Sequence, residues 1–329
     1  MIEIGSKDLM PETLRNSVVA IGNFDGMHRG HQELLSVARN IAHDKGVAWG
    51  LLTFEPHPRS FFRPGEPVFR LTPAALKLRL AKALGASFVV CLAFNESLAT
   101  SPPEDFIRIQ LVERLGLAHI VTGYDFHFGK GRKGGPETLS AMGSHYNFGV
   151  TIVDQVTDEG DEHAPFSSSS IRSALRRGNV RSAARELGYD WTVMGEVVHG
   201  DKRGRTIGFP TANIILDPGA EPYRGIYAVR VREAETSTIW QGAAYFGDRP
   251  TFNTHRTFLE TYVLDEDLDL YGRILMIEFV DLIRGDKTFS SVGELIEQMT
   301  TDCANARKIL MAQEVADYPL ARLQAAGRI

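Results

Sequence analysis

Apolar and polar positions follow two different rhythms along this chain, and the change falls near residues 186–190. Before it, apolar runs at 18–21, 47–54, 87–94, 119–122 and 150–153 are short and bounded by polar or turn residues, so they read as buried strands. Between them, apolar residues recur at helical spacing near 31–43, 73–84, 102–115 and 136–146. Thr72-Pro73 and Ser101-Pro102 read as helix starts, and Gly85 and Gly116 as helix stops. Two more helices are expected near 169–177 and 180–187, ended by Gly178 and Gly188. Strands alternating with helices predict a parallel sheet with its ligand site at the carboxyl ends of the strands.

From Trp191 onward, short β-branched and aromatic runs take over at 191–198, 211–215, 225–232, 238–246, 257–264 and 273–280, separated by glycine and proline turns. That pattern predicts an antiparallel barrel or sandwich. Leu295, Ile296, Met299, Ala306, Ile309 and Leu310 mark one amphipathic helix after it. A chain of 329 residues is long for a single core, so two domains are expected, 1–186 and 187–329.

Composition alters this picture little. Hydrophobic content of 43% and charged content of 23% are ordinary for a globular chain, and a net charge of −5 argues against a nucleic-acid or anionic-membrane partner. Cys91 and Cys303 form no CxxC pair, so neither a thiolate metal site nor a disulfide framework is expected. The first dozen residues carry Glu3, Lys7, Asp8 and Glu12 instead of an apolar leader core. A cytoplasmic enzyme acting on small molecules fits; the sequence leaves the oligomeric state open.

The densest chemistry lies in Gly22-Asn23-Phe24-Asp25-Gly26-Met27-His28-Arg29-Gly30-His31, between the first long apolar run and the first helix. A strand's carboxyl end meeting a helix's amino end presents backbone N–H groups that favour anions. Two imidazoles three residues apart suit a nucleotide's phosphate chain; the alternative is a turn whose histidines merely cap the helix. A metal pair has no HExxH pattern or nearby cysteine behind it.

Three further segments fall where this topology converges its loops. Thr53-Phe54-Glu55-Pro56-His57-Pro58 ends one strand, and Gly123-Tyr124-Asp125-Phe126-His127-Phe128-Gly129 ends another before Lys130-Gly131-Arg132-Lys133-Gly134. Residues 129–134 satisfy GxGxxG, but they come late in the series, and Gly135-Pro136 separates them from the next helix. A basic phosphate-contacting loop or a solvated charged loop suits them better than a dinucleotide fingerprint. The third segment, Ser167 to Ser170 followed by Ile171-Arg172, reads either as a polyphosphate cradle with a fixed cation or as a serine N-cap cluster.

In the second half, Gly195 to Lys202 has P-loop glycine spacing without the Gly-Lys-Ser/Thr ending, so any phosphoryl transfer needs another scaffold. Gly204-Arg205-Thr206-Ile207-Gly208-Phe209-Pro210-Thr211-Ala212-Asn213 supplies one, with Gly225-Ile226-Tyr227-Ala228, Gly247-Asp248-Arg249-Pro250-Thr251-Phe252 and Leu270-Tyr271-Gly272-Arg273 in order behind it.

Taken together, the HxGH turn, the TFxPHP segment, the DFxFG loop, the serine–Ile-Arg segment and the PTAN segment resemble the bacterial bifunctional riboflavin kinase/FAD synthetase family from about residue 15 to 312. The resemblance implies an α/β, Rossmann-like HxGH nucleotidyltransferase domain followed by an all-β Greek-key barrel riboflavin kinase domain with a C-terminal helix. It implies Mg²⁺ as cofactor, with ATP, riboflavin, FMN and FAD as substrates or products. In the first domain it assigns Gly22, Asn23, Phe24, Asp25, His28, His31, Ser168, Ser169 and Arg172 to the ATP phosphates. Phe54, Pro56, Asp125, Phe128 and Arg132 then face flavin or nucleotide, and Asp125 is also a Mg²⁺ candidate. In the second it assigns Glu260 as general base. Thr211 and Asn213 take Mg²⁺ and ATP phosphates, Gly204, Gly208 and Pro210 the nucleotide loop, and Arg249 the flavin side.

Two departures stand out. Tyr245 occupies the asparagine position of an NxGxRPTF pattern, and Arg284-Gly285-Asp286-Lys287-Thr288-Phe289 replaces Arg-x-Glu-x-Lys-Phe. The competing readings are a chain with one of the two activities, a flavin- or nucleotide-binding regulator, and, from HxGH alone, a tRNA-related adenylyltransferase.

Overall fold

The computed structural model describes residues 1–66, 68–157, 165–200, 203–217, 219–234, 236, 238–247 and 258–312. Contacts divide the chain into two compact units, Met1–Val68 with Lys77–Phe166, and Phe69–Leu76 with the chain from Ser167 onward.

The first unit is built on a parallel six-stranded sheet of β1 (Ile2–Ile4), β2 (Val18–Ile21), β3 (Trp49–Glu55), β4 (Phe88–Ala93), β5 (His119–Gly123) and β6 (Gly149–Val153), in the order β1-β4-β3-β2-β5-β6. The five runs read as strands are all strands; β1, three residues long, is too short to leave a periodic signal. Strand β2 is buried along its whole length, as a strand covered on both faces must be. Strand order reverses at β2, which has β3 on one side and β5 on the other. A reversal of this kind opens a crevice at the carboxyl ends, the usual ligand position in such sheets.

Helices α1 (Arg29–Lys45), α2 (Ala74–Ala83) and α3 (Pro136–Tyr146) lie within a few residues of their predicted spans. Residues 103–114 are also helical, but the segment Phe106–Arg114 is wound more widely, with Leu115 N–H donating to the Gln110 carbonyl at 3.1 Å. Gly46, Gly85 and Gly116 take left-handed φ values of 66°, 90° and 57° where helices end, which explains why glycine stands there.

The second unit is a closed antiparallel barrel of β7 (Thr192–Val198), β8 (Ala212–Ile215), β9 (Gly225–Glu233), β10 (Ile239–Gly247), β11 (Phe258–Val263) and β12 (Ile274–Gly285), in the order β10-β11-β8-β7-β12-β9. Closure removes the open edges that a six-stranded antiparallel sheet would expose. One face of each strand fills the barrel: Ile214, Tyr227, Val229, Leu259, Ile277 and Phe279 are all fully buried. The other face of β9 and β10 packs through Ala228 and Ala243 against Cys303 and Ala306 of a long closing helix. Helices α4 (Ser168–Arg176) and α5 (Val180–Leu187) belong to this unit, and the closing helix is α6 (Val292–Ala312).

The excursion Phe69–Leu76 is pinned inside the same unit. The Trp191 indole donates to the Leu71 carbonyl at 3.2 Å, Arg172 Nε donates to the Phe69 carbonyl at 2.7 Å, and Phe69 meets Trp191 edge-on at 5.5 Å.

Candidate active sites

The first site forms where β2 runs out. Residues Gly22 to His28 cover the crevice with a strained turn: Phe24, Gly26 and Met27 have φ of 48°, 89° and 39°. Positive φ costs Phe and Met of order 1 kcal/mol or more, and such strain persists where surrounding packing holds it. Here the holding force is burial, with Phe24 at 0% and Met27 at 1% exposure. Gly22 lies close under the Phe24 ring, and a Cβ there would approach it at 3.2 Å.

His28 occupies the N-cap position of α1, but its side chain makes no capping bond. The reading in which the histidines serve only as caps is therefore not what the turn does. His28 and His31 stack instead, ring centroids 3.8 Å apart and planes 25° apart, with Phe24 edge-on to His31 at 5.4 Å. Gly30 packs closely against the stack, where a Cβ would meet the His28 ring at 3.3 Å. His31 Nδ1 is buried and has no hydrogen-bond partner among the described residues. Burial, then His28 and the Lys77 ammonium, keeps the His31 pKa well below the ordinary histidine value. His31 is therefore held neutral, so the stacked pair does not carry two repelling charges.

Lys77 is the group that sequence reasoning missed. It is 5% exposed on α2, a position that looks like any other charged residue in an amphipathic helix. Its Nζ donates to Thr53 Oγ1 at 3.2 Å and to Glu55 Oε1 at 3.1 Å, and the Thr53 hydroxyl donates to the Asn23 carbonyl at 3.2 Å. A buried cation thus reaches the Gly22–His28 turn through one threonine. Phe54 and Pro56 lie beside it, with a cis bond between Glu55 and Pro56. Phe54, Phe61 and Phe62 all pack around Phe94 at 5.4–6.1 Å, and Phe62 is 63% exposed, leaving an aromatic patch at the strand ends.

After β5, Asp125 is exposed, and its carbonyl accepts from His127 Nδ1 at 2.8 Å. Phe128 turns inward against Phe106, at 5.3 Å, and shapes the loop from within the core. Arg132 is exposed, with φ of 57°. In the second unit, Ser167 caps α4 by accepting from Ser170 N–H at 3.1 Å; Ser168 is half-buried, Ser169 exposed and Arg172 buried.

The barrel's site is set by strand register. Glu260 on β11 lies directly opposite Asn213 on β8 and directly opposite Tyr245 on β10. Opposed residues in antiparallel strands share a face, with Cβ atoms about 4.5–5.5 Å apart. Ile226, Tyr245, Glu260, Asn213 and Val198 therefore form one row across five strands, on the face that packs against α6. Glu260 is half-buried and Asn213 is 4% exposed. Thr211 stands just before β8, its carbonyl accepting from the Asn213 amide at 3.4 Å.

Pro210, Thr211, Thr261, Glu266 and Tyr271 line a recess beside this row. A short helical turn, Arg203–Thr206, leads into it, and the Phe209 N–H donates back to the Gly204 carbonyl at 2.8 Å. Gly208 has φ of 87°, and a Cβ at Gly204 would strike the Phe209 carbonyl, so both glycines are dictated by the loop's path. At the other end of the row, Arg284 makes a bidentate pair with Asp302 of α6, Nε at 3.0 Å and Nη2 at 2.7 Å. Arg249 lies outside the described residues.

These two constructions meet the comparisons with known proteins. The FAD synthetase family model matches residues 10–169 and the riboflavin kinase model residues 187–310. The bifunctional riboflavin kinase/FMN adenylyltransferase of Escherichia coli K12 is 36% identical over 304 residues, covering 92% of this chain and 96% of that one. The chain belongs to this family. The Bacillus subtilis member is also 36% identical, over 89% of this chain and 92% of its own length. A solved Streptococcus pneumoniae structure described as a macrolide-efflux protein superposes with a TM-score of 0.80 at 32% identity, covering 93% and 99% of the two chains. Among the described residues, no helix is long and apolar enough to cross a membrane.

Proposed function

We propose that the chain makes FAD from riboflavin in two ATP-dependent steps: residues 187–329 phosphorylate riboflavin to FMN, and residues 1–186 join FMN to the AMP part of ATP, releasing pyrophosphate. Membership of the bifunctional family supports both reactions. The observation that carries the reading is register: Glu260 and Asn213, 47 positions apart in sequence, are direct neighbours in the β8–β11 ladder.

The riboflavin hydroxyl is neutral, so its attack on the γ-phosphorus of ATP requires a base to take its proton. Glu260 takes that role in this reading, with Asn213 and Thr211 on the phosphate side; the Glu260–Asn213 register pair supports it. Mg²⁺ is tested by the donor set. Thr211 and Asn213 offer hard oxygen atoms, and no cluster of three His, Cys, Asp or Glu is placed for a metal among the described residues. That suits an ion held mainly by substrate phosphates, with one or two protein ligands. When bound, Mg²⁺ would neutralise charge on the phosphates; Asp125 is the corresponding candidate in the first domain.

In the second step the attacker is the FMN phosphate, already ionised at neutral pH, so positioning and charge neutralisation replace a base. The amides at the start of α1, with Gly22, Asn23, Phe24 and Asp25, cradle the triphosphate, and His28 and His31 donate to the phosphate that becomes negative. The assignment of Ser168, Ser169 and Arg172 to the pyrophosphate side rests on the sequence resemblance, since all three fold with the second unit. Phe54, Pro56, Phe128 and Arg132 form the flavin and nucleotide side, and Arg249 serves flavin in the kinase. The test is incubation with riboflavin, ATP and Mg²⁺ and separation of products by chromatography. FMN, FAD and pyrophosphate are expected; FMN without FAD, or neither, would remove one or both assignments.

A further inference from the structure

Tyr245 and Asp286, which stand in the two segments where the kinase half departs from the pattern it resembles, touch each other. The Tyr245 hydroxyl donates to Asp286 Oδ2 at 3.3 Å, while Asp286 Oδ1 accepts from the Lys287 N–H at 3.0 Å, so both carboxylate oxygens are engaged. Room for the phenol comes from Gly247, where a Cβ would collide with the Tyr245 hydroxyl. The exchange conserves reach: a longer side chain on β10 faces a shorter acid beyond β12. Tyr245 also stands directly opposite Glu260, and the nearby Arg284–Asp302 pair fixes the end of β12 to α6.

We propose that Tyr245, Gly247 and Asp286 form a clasp beside Glu260 that fixes the riboflavin side of the kinase site, with Tyr245 as a positioning residue for the substrate's terminal hydroxyl. The inference rests on the reading of Glu260 as base. Burial, then Asp286, with Glu260 in the same sense and Arg224 opposing, raises the Tyr245 pKa. The hydroxyl therefore stays protonated and keeps donating at neutral pH.

The test is steady-state kinase kinetics on the full chain, with adenylyl transfer from added FMN measured in the same preparation as an internal reference. Tyr245→Phe and Asp286→Ala are each expected to lower kcat/KM for riboflavin about tenfold with the KM for ATP unchanged. The double variant should be no worse than either single one. Asp286→Asn keeps an acceptor and should restore most of the loss, whereas Gly247→Ala, which evicts the hydroxyl, should reproduce it. Additive losses, unchanged kcat/KM, or a change in the KM for ATP would overturn the clasp. Glu260→Gln in the same assay separates the two readings: an active Glu260→Gln removes the base, whereas an inactive one beside fully active clasp variants removes the clasp alone.

Discussion

The two candidate sites serve phosphorus chemistry with different building materials. In the α/β unit the site is a turn: backbone N–H groups, two stacked imidazoles and a buried lysine, with its carboxylate, Glu55, tied to that lysine. In the barrel it is a ladder: a carboxylate, an amide and a phenol stand side by side because three antiparallel strands are in register. The contrast follows from the attackers. An ionised phosphate is met by donors, which a strained turn at a helix start provides in abundance. An alcohol must lose a proton to a base held at hydrogen-bond distance, and a sheet ladder fixes side chains to that tolerance.

The contrast breaks first at the histidines. His28→Ala with His31→Ala is expected to cut FAD formation from FMN about 10³-fold or more, while FMN formation stays within about twofold. Product chromatography decides, and parallel loss of both would merge the sites. Glu260→Gln is expected to lower FMN synthesis about 10²–10⁴-fold and to leave conversion of added FMN unchanged, measured by FAD fluorescence. Lys77→Met removes the ammonium that bonds Thr53 and Glu55. It should cost roughly 1–3 kcal/mol of stability in urea unfolding and slow adenylyl transfer only.

The smallest effect concerns pH. His31 has a lowered pKa in the fold, so between that value and about 6.5 the unfolded chain binds the extra proton. Stability present above pH 6.5 is therefore lost as pH falls below it, and His31→Gln should flatten that loss in unfolding curves at pH 7.5 and 5.5. A wild-type slope equal to the variant's would show that the turn does not hold His31 neutral.

Much of this was legible because the signals are local. Strand and helix spans in both halves come from periodicity within a dozen residues, and the helix stops at Gly85, Gly116, Gly178 and Gly188 come from a backbone conformation that glycine adopts at no steric cost. The HxGH turn was legible for the same reason: residue type and spacing within ten positions fix a strand end, a turn and a helix start. Arg249 and its neighbours lie outside the described residues.

Lys77 was invisible because its meaning lies in Thr53 and Glu55, more than twenty positions away. The excursion Phe69–Leu76 interrupts an α/β pattern, yet Trp191 and Arg172 claim it for the barrel's unit through two backbone carbonyls. The amino-acid order by itself determined where the longer strands and helices form and where they stop, since those depend on neighbours along the chain. Tertiary structure alone decided that Glu260 faces Asn213 and Tyr245, that Tyr245 meets Asp286 and that Lys77 is buried. Strand register and burial are settled by packing between distant segments, and no local pattern encodes that choice.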